Sequence, residues 1–267
     1  MSLSPILHQI LLHKWEEVRH QKKIFSLAAL EDAAAEKAGG RRPFAAAFST
    51  GAPGFKVIAE IKRSSPSQCY IPTGFDPVQI AKSYQAAGAA CLSVLTEDRF
   101  FMGSSLYIPL VKEAVDIPVL RKDFVVDPWQ VAEAAALGAD AALLMAVLYE
   151  DSDQLAPFFQ MAHQVGIELL VEIHSETEWE LVKPYNPPLV GINNRDFRSA
   201  QLELDVETSV RLAPLLPKDS IVISESGLSA QGQLGRLASL GVDGFLIGSA
   251  LMKSGDPGGA LRALLAD

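Results

Sequence analysis

The apolar positions of this chain follow two periods, and the change between them divides it. From residue 4 to about residue 37, apolar side chains recur every three or four positions, which predicts helix. Ile6, Leu7, Ile10, Leu11, Trp15 and Val18 make the expected buried face, with Lys14, Glu17 and His20 on the other. Ser4 with Pro5 forms a cap and first-turn pair. A second helix is expected over 27–37, stopping at Gly39-Gly40. Further on, short runs of Val, Ile, Leu and Ala predict strands near 57–62, 90–95, 118–122, 141–146, 168–172, 189–193, 221–224 and 244–247. They lie roughly 20 to 35 residues apart, the length of a strand and a returning helix.

Gly88-Ala89-Ala90, Gly138-Ala139-Asp140 and Gly241-Val242-Asp243 each follow a helical pattern and precede an apolar run. In this weak repeat, the glycine's left-handed backbone would end the helix and turn the chain into the next strand. Eight such units predict an α/β fold, a (β/α)8 TIM barrel forming a single domain over 1–267, of which about 1–45 is an N-terminal helical extension. An open doubly wound sheet is the alternative, but no GxGxxG follows the first strand.

The length of 267 residues suits a barrel, which commonly needs about 250. A net charge of -9 without a Lys/Arg cluster argues against a nucleic-acid partner. It leaves room for a local basic pocket that takes a small anion. Cys69 and Cys91 form no CxxC pattern or framework, which points to a reducing compartment. No apolar run approaches the roughly 18 residues of a membrane span, and the N-terminus lacks the apolar core of a signal peptide. The expectation is a cytoplasmic protein without a membrane partner.

The candidate chemistry lies at the strand ends, where parallel barrels build their sites. Those ends read Lys62, Thr96, Lys122, Glu172, Asn193 with Arg195, Ser226 with Gly227, and Gly248 with Ser249. The fourth, ending in Leu144, Met145 and Ala146, offers only a wall. The stretch Val57-Ile58-Ala59-Glu60-Ile61-Lys62 aims Glu60 and Lys62 to one side, because side chains alternate across a strand. Burying both is costly unless they pair or work. Lys62 and Lys122 are candidate general acids, with Glu60 and Glu172 at hand to keep them charged. They could equally be structural ion pairs, or one lysine a Schiff-base nucleophile. Glu172 is a candidate base.

Gly227 after the seventh strand and Gly248-Ser249 after the eighth suggest a phosphate cradle, with Ser65 and Lys62 in reach; plain turn residues are the alternative. Arg195 has the planar fork that binds a carboxylate at two points, unless it bridges to Asp196. A metal site is not expected. His174 faces the side of Glu172, but no third ligand completes a set, and His8, His13 and His20 have no carboxylate–histidine set beside them.

Five motifs, taken in order, carry a resemblance: Ala59-Glu60-Ile61-Lys62-Arg63-Ser64-Ser65-Pro66-Ser67, Leu120-Arg121-Lys122-Asp123-Phe124, Leu170-Val171-Glu172, Gly191-Ile192-Asn193-Asn194-Arg195-Asp196 and Ser224-Glu225-Ser226-Gly227. Together with Ser93-Val94-Leu95-Thr96-Glu97 and the N-terminal helices, the chain resembles the indole-3-glycerol phosphate synthase family over essentially its whole length. The resemblance implies a carboxy-lyase of tryptophan biosynthesis. Its substrate would be the phosphorylated small molecule 1-(2-carboxyphenylamino)-1-deoxyribulose 5-phosphate, and its product indole-3-glycerol phosphate.

By that resemblance Lys122 is the general acid at the ribulose carbonyl and Glu172 the base for dehydration. Lys62 is a second proton donor contacting the substrate's carboxylate or phosphate side. Glu60 and Asn193 orient these groups and bind hydroxyls. Arg195 holds the anthranilate carboxylate. Ser65, Gly227, Gly248 and Ser249 match the phosphate positions, Ser226 lines the site, and Phe101, Phe124 and Phe197 flank the ring. No cofactor is expected, since the aniline nitrogen supplies the electrons and loss of carbon dioxide restores aromaticity. A monomer is expected, with contact to other tryptophan-pathway enzymes left open.

The chain departs from the family pattern at Gln68-Cys69, where Lys-Gly is usual, at Phe197 in place of Leu, and at Met102 before Gly103. These changes predict altered rate or loop motion with the reaction unchanged. Two other phosphate-binding barrel enzymes, a phosphoribosylanthranilate isomerase and a Schiff-base aldolase, are rival readings. A non-catalytic binder would be expected to lack a rim lysine or glutamate, and a structural scaffold leaves the five matching strand ends unexplained.

Overall fold

The computed structural model describes residues 3–49, 54–66 and 74–266. The chain opens with α1 (Pro5–Ile24) and α2 (Leu27–Lys37). Ser4 Oγ accepts from Leu7 N at 3.4 Å and Pro5 fills the first turn, as the cap pair predicts. Ser26 starts α2 in the same way, accepting from Ala29 N, and the chain tightens into a 3-10 turn at Ala38–Gly40.

Alternation follows: β1 (Val57–Ile61), α3 (Pro77–Ala86), β2 (Cys91–Leu95), α4 (Tyr107–Ala114), β3 (Val119–Lys122), α5 (Pro128–Ala136) and β4 (Ala141–Met145). The second half adds α6 (Ala156–Val165), β5 (Glu168–Ile173), α7 (Glu176–Val182), β6 (Leu189–Asn193), α8 (Glu207–Leu212), β7 (Ile221–Glu225), α9 (Gln231–Ala238), β8 (Gly244–Ile247), α10 (Ser249–Met252) and α11 (Pro257–Leu265). All neighbouring strands run parallel, and β1 pairs with both β2 and β8 to close the barrel. The predicted barrel is therefore present, with strand limits moved by a residue or so. Gly88, Gly138 and Gly241 hold φ of +92°, +91° and +97°, the left-handed turns their repeat anticipates.

Strand parity sorts the core into two layers. Val57, Ala59, Ile61, Val171, Ile173, Val190 and Ile192 pack outward against the helices. Ile58, Leu120, Leu143, Met145, Leu170, Ile223 and Leu246 fill the barrel. Leu144 thus faces the helices, and the wall of the fourth strand is Leu143 with Met145.

The N-terminal extension joins both ends of this interior. Phe44 and Phe48 belong to the inner cluster, and Glu168 accepts from Phe44 N and Ala45 N at 2.6 and 3.0 Å. Leu7 and Ile10 of α1 join the same cluster, while Ile6 and Ile10 line a cavity at the strands' C-terminal ends.

The helical face of α1 is a correction. Leu7, Ile10, Lys14 and Val18 are its buried residues, whereas Trp15 is half exposed. Lys14, expected on the outer face, has the burial of the core because Glu17 and Asp123 receive its ammonium at 2.6 and 2.9 Å. The expected absence of carboxylates beside the histidines is also corrected. His13 Nε2 lies 3.1 Å from Asp98, and Glu17 is close by, although Glu17 is already held by Lys14.

Candidate active site

On several strands the inward-facing series ends in polar side chains at one rim. On β1 it runs Ile58, Glu60, with Lys62 just past the strand; on β5 Leu170, Glu172; on β7 Ile223, Glu225. Glu60, Glu172, Asn193 and Glu225 are buried. Lys62 Nζ pairs with Glu60 Oε1. Lys122 Nζ lies 2.7 Å from Glu225 Oε2 and 3.8 Å from Glu60 Oε2. The Asn193 side chain favours the charged form of Glu172, and Asn193 Oδ1 accepts from Arg195 N at 2.9 Å.

Two inner glycines make room for these acids. A Cβ on Gly248 would come within 3.0 Å of Glu60 Cβ, and one on Gly191 would overlap Glu225 Oε1. Both positions require a residue without a side chain because the carboxylates occupy that space.

Burial and charge pull these groups apart in titration. Desolvation would lower the Lys122 pKa, but Glu225, Glu60 and Glu172 outweigh it and hold the ammonium above its ordinary range. Desolvation would raise Glu60, yet Lys62, Lys122 and Arg195 keep its carboxyl below the usual range. Glu172 goes the other way: burial and the charge of Glu225 push it up to about 8, against the opposing pull of Lys122 and the Asn193 hydrogen bond. The rim therefore holds a committed cation beside a carboxyl that exchanges its proton near neutrality.

These side chains border a cavity of about 350 Å³. Of the residues picked out from the strand ends and motifs as site candidates, Thr96 is outside the cavity wall, bonded to Asp123, and the others line it: Glu60, Lys62, Ser65, Phe101, Lys122, Phe124, Glu172, Asn193, Arg195, Phe197, Ser226, Gly227, Gly248 and Ser249. Phe101 and Phe124 lie with ring centroids 5.9 Å apart, and Phe124 meets Phe197 edge to face at 6.5 Å. Gly227, at φ +77°, follows Ser226 at φ +70°. Arg195 Nη1 donates to Leu202 O at 3.0 Å, and Asp196 accepts from Arg198 N instead of bridging to Arg195.

His174 does not join Glu172. Its Nδ1 lies 2.7 Å from Asn193 O and its Nε2 3.9 Å from Asp196. The Gln68-Cys69 departure lies outside the described residues.

Glu225 is the residue that the strand-end reading missed. With the seventh strand stopped at residue 224, the acid fell into a loop; β7 continues through it, and parity from Ile221 and Ile223 turns it inward. Counting by twos from Ile223 was the available signal. The N-terminal extension also takes part in the site, since Ile6 and Ile10 of α1 are cavity walls.

Comparisons with known proteins bear on this arrangement. A family model described as indole-3-glycerol phosphate synthase matches residues 7–264. A protein of that name from Acidithiobacillus ferrooxidans is 41% identical over 266 residues, covering 99% of this chain and 100% of the relative. Another from Laribacter hongkongensis is 43% identical over 269 residues, with 99% and 100% covered. Among solved structures, 3-hexulose-6-phosphate synthase from Salmonella typhimurium superposes with a TM-score of 0.61 at 14% identity, covering 79% of this chain and 96% of that one. Orotidine 5'-phosphate decarboxylase from Pyrococcus horikoshii gives 0.59 at 13% identity, covering 78% and 97%. At such identities the structural matches speak for the barrel alone.

Proposed function

The chain belongs to the indole-3-glycerol phosphate synthase family, and from that premise we propose how its residues divide the reaction. The reaction is ring closure, decarboxylation and dehydration of 1-(2-carboxyphenylamino)-1-deoxyribulose 5-phosphate to indole-3-glycerol phosphate, a carboxy-lyase step of tryptophan biosynthesis.

The observation that carries the assignment is the setting of Lys122, 2.7 Å from Glu225 and 3.8 Å from Glu60, in one cavity with Glu172, whose carboxyl is pushed up by burial and by Glu225. As the aniline-activated ring carbon attacks the ribulose carbonyl, Lys122 gives a proton to the oxygen. Carbon dioxide then leaves with its bonding electrons going to the ring, which regains aromaticity. Dehydration needs one group to accept a proton and another to protonate the departing hydroxyl. Glu172 takes the first role and Lys62 the second.

Glu60 orients both lysines and Asn193 orients Glu172, as their hydrogen bonds and ion pairs support. Arg195 receives the anthranilate carboxylate in two-point fashion. Phe101, Phe124 and Phe197 form the slot for the ring. Ser65, Ser226, Gly227, Gly248 and Ser249 receive the phosphate end. The aromatic amine is its own electron source, so no cofactor enters the scheme.

We further place the enzyme in the cytoplasm as a monomer. Among the described residues no helix is long and apolar enough to cross a membrane, and every residue given a role here comes from a single chain. The test is indole fluorescence after mixing protein and substrate in the presence of chelator. Product formation that follows Lys122 and Glu172 through single-turnover variants supports the assignment. Bound substrate without product overturns it.

A further inference from the structure

We propose that Lys14, contributed by α1, is a positioning residue for the aromatic half of the substrate, acting through the two buried carboxylates that set Phe124 and Phe101. The inference rests on the function proposed above, since it concerns the ring slot of that site.

Lys14 is 1% exposed and its Nζ lies 2.9 Å from Asp123 Oδ1. That same oxygen accepts from Phe124 N at 2.8 Å. The other oxygen of Asp123 accepts from Thr96 Oγ1 at 2.5 Å and faces Arg121 at 3.4 Å. One carboxylate thus fixes the turn between Lys122 and Phe124, with Lys14 and Phe124 N sharing one oxygen. Asp123 is held ionised by this setting: burial would raise it, but Lys14 and Arg121 bring it below the ordinary range.

Glu97 does the corresponding work after the neighbouring strand, β2. It is completely buried, and its two oxygens accept from the backbone amides of Arg99, Phe100 and Phe101 at 3.2, 2.7 and 2.8 Å. Phe101 O in turn accepts from Ser64 N at 3.2 Å, tying the slot to the loop after β1. Burial pushes the Glu97 carboxyl up, opposed first by the amides of Phe101 and Phe100, then by the charge of Lys14 and the Arg99 amide. The buried ammonium holds the Phe124 turn by direct contact with Asp123, and its charge favours the Glu97 carboxylate that sets Phe101. Because the lysine rides on α1, it also seats Ile6 and Ile10 against the cavity.

Lys14→Met keeps most of the apolar stem and removes the charge, while Arg121 remains beside Asp123. In this variant we expect KM for the full substrate to rise about tenfold, with a smaller change in kcat, through loss of a charge-assisted hydrogen bond. Inhibition by 2-aminobenzoate should weaken by a similar factor, while inhibition by inorganic phosphate stays within about twofold. Lys14→Arg should restore most of the loss. Glu97→Gln, measured alongside, should show the same split and keeps the test open if Lys14→Met does not fold. Equal weakening of both inhibitors, or unchanged binding of both, would overturn the proposal. Wild-type turnover of the substrate, run in the same series, separates this failure from failure of the proposed function.

Discussion

Lys122 Nζ sits between two carboxylates from strands that are not its neighbours, 2.7 Å from Glu225 on β7 and 3.8 Å from Glu60 on β1. The bonds cross the barrel interior, so the ammonium is placed by acids on two separate walls. That arrangement fixes its charge and its direction together, the two properties a proton donor needs.

Replacing this donor tests the central assignment. Lys122→Ala should lower kcat by about 10²–10⁴, the usual span of a general acid, with substrate still binding. Stopped-flow mixing that shows binding without indole fluorescence is the expected result; turnover near that of the wild type would remove Lys122 from the role.

Glu225→Gln should move the pH profile in a definite direction. The Glu225 charge raises both Glu172 and Lys122. Without it Glu172 ionises at lower pH, so the rising limb of kcat/KM, expected near the value of about 8 held by Glu172, shifts toward acid. Lys122 loses its proton more readily as well, so any falling limb moves the same way. An unmoved rising limb would mean that Glu172 does not report there.

Glu172→Gln should stabilise the protein while abolishing most activity. The folded carboxyl titrates at about 8 against an ordinary value of 4.5, so the folded state holds the proton more tightly than the unfolded chain. Its contribution to stability is greatest below pH 4.5 and is lost as pH rises through about 8. The neutral amide escapes that loss. Thermal melts should therefore show a larger gain in Tm at pH 8.5 than at pH 5, and an equal gain at both would contradict the raised value.

Gly248→Ala should damage catalysis through Glu60. The added methyl would meet Glu60 Cδ at 2.8 Å and Cβ at 3.0 Å, and Cβ cannot swing away as a carboxylate tip could. A loss of at least about tenfold in kcat/KM is expected from a displaced catalytic partner. Retention of full activity would show that Glu60 has room the structure does not reveal.

Much of this was legible in the chain because strand parity and glycine spacing are local signals. Glu60 and Lys62 were readable as a pair from alternation alone, and Gly88, Gly138 and Gly241 marked their turns correctly. Glu225 was obscured by a strand limit set one residue short, since a charged residue looks like the end of an apolar run. Lys14 and Trp15 were exchanged for a different reason. Hydropathy ranks tryptophan inside and lysine outside, but the burial of Lys14 is decided by Asp123, far along the chain. No window around residue 14 contains that information. The inward turn of Arg195 toward Leu202 O and the outward turn of His174 are likewise set by partners in three dimensions.

The seating of α1 also orders events during synthesis. Lys14 is made before Asp123, which directly follows the third strand, and before Glu97, in the turn after the second. An ammonium is not buried before its counter-charges exist, so α1 must wait, unseated, until the strands leading to them have been assembled. Its docking then comes late in folding, so the wall of the substrate slot that α1 supplies is set after the strands it leans on.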